Sequence, residues 1–302
     1  MVDLFAPTIP VDRPPVVLCC LPGGGMSRRY WDLRAQDERG TYSMGDHLAS
    51  HGFTVVTLDH LGVGESSRPE DPYTLTPAVV ADANAYAVDR ILRQLRDGSL
   101  GDDLTLAGNA IVIGVGHSMG GLLTVWQQAR HHTYAAIAVL GFAGGGLVRA
   151  LNDDQRRFAG DPEGLQRELA RLVRESFGDA LPPGTTATSD LLLAGMPVPS
   201  AVIDALGESS SNLLALVGLT SMVPGSSAPQ LAAIDVPVFI GVGERDITGD
   251  AHQIPAQFPH SLDVTLFALP DAGHNHNAAP NRAVLWDRLA AWARSVEVPK
   301  DT

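Results

Sequence analysis

The chain's 302 residues, 45% hydrophobic and 18% charged, suffice for one large domain or two small ones and are too apolar to remain disordered. With 34 acidic against 21 basic residues the net charge is −13, a surface that repels nucleic acid and anionic lipid and so excludes them as partners. Lys300 is the only lysine, which also excludes Schiff-base, Walker-type and lysine-dyad chemistry.

Met1–Pro15 carries Asp3 and Asp12 and no apolar core, so no secretory signal is expected and a cytoplasmic location is the simplest reading. The first strand is predicted at Val16–Leu21. Its Cys19 and Cys20 are strand neighbours that point to opposite faces, so both are expected to be buried and unpaired. Next comes Leu21-Pro22-Gly23-Gly24-Gly25-Met26, backbone bare enough to approach a substrate closely. A second strand is predicted at Thr54–Leu58. Thr76-Pro77 then supplies an N-cap and an N1 proline for a helix reaching Arg96, with Val80, Ala83, Ala87, Ile91 and Leu95 on one face.

Leu104–Ala129 has no charged residue and is longer than the ~20 residues that cross a bilayer. Its polar residues and its glycines at 108, 114, 116, 120 and 121 suit a buried strand turning into a helix, so no membrane span is expected. The strand is placed at Ala110–Val115 and the helix at Met119–Arg130. Between them Gly116-His117-Ser118-Met119-Gly120 fits G-x-S-x-G, a sharp turn that holds a serine exposed at the top of a sheet. Reading these glycines as a dinucleotide loop fails, because Met119 stands where G-x-G-x-x-G requires its last glycine.

A strand at Ala135–Phe142 follows, and no strand-like run recurs before Val236–Val242. The intervening segment opens a helix at Asp161-Pro162-Glu163, with Leu165, Leu169, Leu172 and Phe177 on one side. A Pro/Gly/Thr linker at 182–188 leads to short helices at Leu191–Met196, Ala201–Leu206 and Leu213–Met222. A last strand, Val264–Leu269, precedes a helix at Arg282–Ser295 that places Leu285, Leu289, Trp292 and Val296 on one stripe. Strands alternating with helices predict the α/β class with a doubly wound, mostly parallel sheet. The core is expected at 1–144 and 231–302, and a helical insertion at 145–230.

Taken together these motifs resemble the α/β-hydrolase family over about residues 15–145 and 230–296. Asp59-His60-Leu61-Gly62-Val63-Gly64-Glu65-Ser66 is similar to that family's D-x-x-G-x-G-x-S turn, whose role is structural. The resemblance implies an α/β-hydrolase fold, an insertion acting as a cap, no cofactor or metal, and a triad in the order Ser, acid, His. A serine hydroxyl does need both partners, an imidazole to take its proton and a carboxylate to orient the imidazole. Ser118 is the nucleophile. Asp246, after Gly243-Glu244-Arg245, occupies the position that resembles the family's acid. His274, in Pro270-Asp271-Ala272-Gly273-His274, matches the family's approach to its base, and His276 is the rival. The backbone N–H of Met119 should form one half of an oxyanion hole. Gly24 is the other half by analogy with the family's H-G-x turn, fixed only to within one residue because Pro22 replaces the usual His.

His117 is expected to serve packing alone. His274 and His276 lack a third nearby ligand for a metal site. So few residues precede Val16 that a six-stranded sheet is expected. A serine in place of an aspartate excludes haloalkane dehalogenase and epoxide hydrolase chemistry. The reading is a serine hydrolase of a small carboxylic ester, with a lactonase, C–C bond hydrolase, thioesterase or non-catalytic ligand-binding protein of the same fold as alternatives. Its pocket is expected to be mainly apolar, shaped by Leu191, Leu192, Leu193, Met196, Leu213, Leu214, Leu216 and Met222. The sequence does not set the oligomeric state.

Overall fold

The charge-free apolar runs become six parallel strands of one sheet, because a strand covered by helices on both faces has no solvent side to place a polar residue on. The computed structural model describes residues 1–9, 14–101, 106, 108–184 and 188–297. Lys300, Asp12, Leu104 and the linker's centre, 185–187, lie outside them.

The strands are β1 (Val2–Phe5), β2 (Val16–Leu21), β3 (Asp32–Asp37), β4 (Gly40–Ser43), β5 (Thr54–Leu58), β6 (Ile111–His117), β7 (Ala136–Leu140), β8 (Val238–Gly243) and β9 (Val264–Leu269). Helices are α1 (Met44–Ser50), α2 (Pro77–Arg96), α3 (Met119–His131), α4 (Asp153–Arg156), α5 (Pro162–Phe177), α6 (Asp190–Leu193), α7 (Ser200–Glu208), α8 (Ala215–Met222), α9 (Ala228–Ala232) and α10 (Arg282–Ser295). The main sheet runs β1-β5-β2-β6-β7-β8-β9. It has seven strands, not six. The extra one, β1, lies antiparallel on β5 at the edge, with Val2 opposite Leu58. Four residues including Asp3, only half-buried, leave too little apolar signal to mark it. Helices α1, α4 and α9 and a two-stranded β3–β4 ribbon also went unforeseen. The β8 boundary moves two residues inward from Val236, since Pro237 has no N–H to give a ladder.

Cys19 and Cys20 are buried and free, on opposite faces of β2, where each joins a different core cluster. Burial pushes the Cys19 thiol up to about 12, which makes it an inert hydrophobe. Among the described residues no helix is long and apolar enough to cross a membrane.

The helices of 145–230 form a small apolar cluster of their own, Leu151, Leu165, Leu169, Leu172 and Val173 against Ala215, Leu216 and Leu219. Helix α5 is well delimited: Asp161 accepts from the Gly164 N–H at 2.8 Å, Pro162 occupies the first turn, and Gly178 closes the helix at φ 71°. The rest of the segment is tied to the core. Leu214 and Val217 join the cluster containing α2 and α3, while Leu193, Met196, Val202 and Leu206 join the one containing α1 and α10. Leu191 is the exception, 69% exposed.

Candidate active site

The turn from β6 into α3 permits no side chain at its glycines. A Cβ on Gly116 would lie 2.2 Å from the Gly120 carbonyl oxygen, and one on Gly120 would lie 2.2 Å from that of Leu21. Between them Ser118 sits at φ 54°, ψ −120°, a conformation L-residues rarely adopt and one that costs roughly 1–3 kcal/mol. It is held there by its N–H, donated to the Leu140 carbonyl at 2.7 Å, and by its carbonyl, which accepts from Gly121 at 2.8 Å. Ser118 is partly exposed although its neighbours on both sides are buried.

Asp246 and His274 come together from the loops after β8 and β9. His274 Nδ1 donates to Asp246 Oδ1 at 2.7 Å, with side-chain exposures of 3% and 1%. His274 packs against Gly141, whose φ of +63° and missing side chain leave room: a Cβ there would lie 3.0 Å from the imidazole. His274 and Ser118 line one cavity. His276 does not line it. Instead its Nε2 donates to the other carboxylate oxygen, Asp246 Oδ2, at 2.8 Å, and Oδ2 also accepts from the Gly243 N–H at 3.1 Å. Burial alone would raise the Asp246 pKa, but the charge and hydrogen bond of His274 and the hydrogen bond of His276 hold it well below the usual carboxylate range. Asp246 is therefore no surface ion-pair partner; Arg245 beside it points out toward Asp271.

Two further histidines do more than sequence reasoning assigned them. His117, expected only to pack, donates from Nε2 to the His274 carbonyl at 2.9 Å and stacks on Tyr30 with ring centroids 4.6 Å apart. His60, in the Asp59–Ser66 turn, donates from Nε2 to the Pro22 carbonyl at 3.0 Å while its Nδ1 accepts from Asn84 of α2. It thus braces the glycine loop from below. A histidine directly following the aspartate of that turn was the available signal. Burial depresses both imidazoles below their ordinary value, for His117 helped by the charges of His274 and His276.

A buried histidine whose folded pKa is lowered stays neutral while the unfolded chain takes up a proton below about pH 6.5, so stability falls as pH falls through that window. Each of His60 and His117 should remove up to ~1.4 kcal/mol per pH unit there. Urea unfolding at pH 7.5 and 5.5 reads this directly. Equal stabilities would contradict the neutral assignment.

The glycine loop lies against the turn: a Cβ on Gly23 would meet the Ser118 Cβ at 3.3 Å, and one on Gly24 the Met119 Sδ at 3.7 Å and the Leu213 Cδ1 at 2.9 Å. Residues of the 145–230 segment stitch it in place. Ser27 N–H donates to the Ser209 carbonyl at 2.7 Å, Ser211 N–H donates to the Gly25 carbonyl at 2.8 Å, and Met26 bridges Ser210. Gly24 thus lies against the Met119 side chain.

The cavity at Ser118 is small, about 30 Å³, and is completed by Gly141, Phe142, Ala143, Gly146, Leu147, Ser221, Ile247 and Thr248. None of the eight leucines and methionines expected to shape the pocket lines it. Six of them, Leu193, Met196, Leu213, Leu214, Leu216 and Met222, pack within the segment or onto the core, with Leu213 covering Gly24. The buried Thr248 hydroxyl has no hydrogen-bond partner. A larger surface groove of about 990 Å³ runs along β1 past Asp3, Arg28 and Asp46, but it touches none of Ser118, Asp246 and His274. Among the described residues the ligand-type atoms that converge within 4.8 Å belong to His47, His51 and Asp287. These lie outside the site, and the 2.8 Å hydrogen bond between His47 Nε2 and Asp287 already accounts for their closest approach.

Solved structures share this architecture at low identity. A monoacylglycerol lipase from Paleococcus ferrophilus superposes with a TM-score of 0.63 at 18% identity, covering 98% of this chain and 99% of its own. A thermophilic esterase from Thermogutta terrifontis gives 0.63 at 17%, covering 98% and 93%. A bromoperoxidase from Bacillus anthracis gives 0.58 at 18%, covering 96% and 93%. A search of curated proteins returns no match to the sequence. The model of the alpha/beta hydrolase family matches residues 16–287, from the start of β2 into α10, and the chain therefore belongs to the alpha/beta hydrolase family.

Proposed function

We propose that this hydrolase is a cofactor-independent serine esterase that works through an acyl-enzyme on Ser118. The observation that carries the proposal is a strained serine sharing a cavity with His274, an imidazole whose Nδ1 is fixed on the buried carboxylate of Asp246. With Nδ1–H committed to Asp246, the His274 Nε2 is left unprotonated and is the atom that takes the Ser118 proton as Oγ attacks the ester carbonyl. The tetrahedral oxyanion then forms against the N–H groups of Met119 and Gly24. His274 hands its proton to the leaving alcohol, and a water activated by the same nitrogen releases the acid. Segment 145–230 acts as the cap: it pins the loop carrying Gly24 and contributes Gly146, Leu147 and Ser221 to the cavity.

A volume of about 30 Å³ holds roughly two water-sized groups, which suits a short acyl chain rather than a long one. With p-nitrophenyl esters, kcat/KM should fall beyond about a four-carbon acyl group, since each further methylene loses the ~0.8 kcal/mol that burial would have contributed. Leu147→Ala and Ile247→Ala should move the optimum to longer chains. A profile that climbs through eight carbons in the wild type would contradict this cavity as the acyl site, and failure to cleave any ester in the series would remove the esterase reading.

A further inference from the structure

We propose that His276 is a positioning residue for the proposed triad, a second imidazole that clamps Asp246 from the side opposite His274. The proposal rests on the serine-hydrolase reading above. Most triads need one imidazole on the acid; here the carboxylate has two, at 2.7 Å on Oδ1 and 2.8 Å on Oδ2, with side-chain exposures of 1% for both Asp246 and His276. The Gly243 N–H makes a third contact at 3.1 Å. Both oxygens are therefore occupied, and the carboxylate cannot rotate about its own axis.

The tautomer of His276 follows from its surroundings. A carboxylate accepts, so Nε2 carries the proton; Nδ1 is buried with no partner, a position that an unshared lone pair tolerates better than a stranded N–H does. The groups facing this cluster are His117, edge-on to His276 at 5.5 Å and tilted on His274 at 4.8 Å, and Tyr30, stacked behind His117 with a buried hydroxyl. His274 and His276 have ring centroids 6.2 Å apart, each on its own oxygen of Asp246. His276 thus works as a hydrogen-bond donor, fixing the carboxylate that fixes His274 and sharing its negative charge.

Removing it has two consequences. Asp246 gains freedom to swing, which lowers kcat while leaving KM nearly unchanged. The carboxylate's charge also falls more fully on His274, which favours the imidazolium and moves the acid limb of the pH profile upward.

The experiment compares wild type, His276→Leu and His276→Gln, whose amide nitrogen can take the place of Nε2. His276→Leu should lose about tenfold in kcat and shift the acid limb of kcat/KM by about half a pH unit or more to higher pH. His276→Gln should restore both toward wild type. In the wild-type protein, long-range ¹⁵N–¹H spectra of the imidazoles should show a proton on His276 Nε2, a readout independent of any variant's folding. A His276→Leu profile identical to wild type, equal damage in the Leu and Gln variants, or a His276 whose Nε2 carries no proton would each overturn the role. These outcomes are separable from failure of the hydrolase reading, because that failure shows in the wild type alone as absence of fluorophosphonate labelling at Ser118, whereas this role fails with labelling intact.

Discussion

Ser118→Ala should reduce ester turnover by at least ~10⁴-fold with the melting temperature unchanged, because the hydroxyl leaves while the turn's glycines, which set its geometry, remain. The unchanged stability is as informative as the lost rate. Ser118 holds φ 54° because a Cβ at Gly116 or Gly120 would collide with backbone, not because its own side chain is bonded in place. Ser118→Gly should then go further and melt at a higher temperature than wild type, by the equivalent of ~1 kcal/mol, since glycine adopts this conformation without strain. A dead, stabilised glycine variant would mark the position as one where the fold accepts strain for exposure of the nucleophile. Turnover near wild type in purified Ser118→Ala would end the serine-hydrolase account.

His274→Ala should be equally inactive, but it also strips one partner from a buried carboxylate, and breaking such a pair can destabilise by ~3–5 kcal/mol. Loss of activity in that variant alone would not separate chemistry from folding. His274→Asn does separate them: its amide nitrogen can keep the bond to Asp246 Oδ1 while nothing replaces Nε2 as the base. It should melt close to wild type and lose ~10³-fold or more. His276→Ala should retain activity within about tenfold, because its imidazole bonds Asp246 and does not line the cavity at Ser118. The opposite ranking, an active His274→Asn and a dead His276→Ala, would transfer the base to the second histidine.

What the sequence made legible follows from how local the causes are. The six parallel strands announce themselves as charge-free runs, and α2 and α5 by their caps and first-turn prolines. Ser118 was visible because its geometry is imposed by glycines within three residues of it. Asp246 and His274 were singled out by their places after β8 and β9 together with the family resemblance. The rest depends on contacts far apart in the chain. Edge strand β1 is recognisable only through its pairing with β5, some fifty residues on, and β3 carries Asp32, Arg34, Gln36 and Asp37, which resemble any polar loop. Nothing local says that His117 Nε2 reaches the carbonyl of a residue 157 positions later, or that His276 shares Asp246 with His274. The pocket was misjudged for a physical reason. Apolar side chains in the 145–230 segment were assigned to the substrate, but six of the eight pack within the segment or onto the core, four of them onto the core.

The central claim, that Ser118 is a nucleophile activated by the Asp246–His274 pair, is tested most directly by exposing the purified protein to a fluorophosphonate and locating the adduct by mass spectrometry. The account predicts a single stoichiometric adduct on the peptide containing Ser118, formed rapidly by the wild type, at least ~10³-fold more slowly by His274→Asn, and not at all by Ser118→Ala. An unlabelled wild type, or the same adduct at another residue in Ser118→Ala, would contradict it.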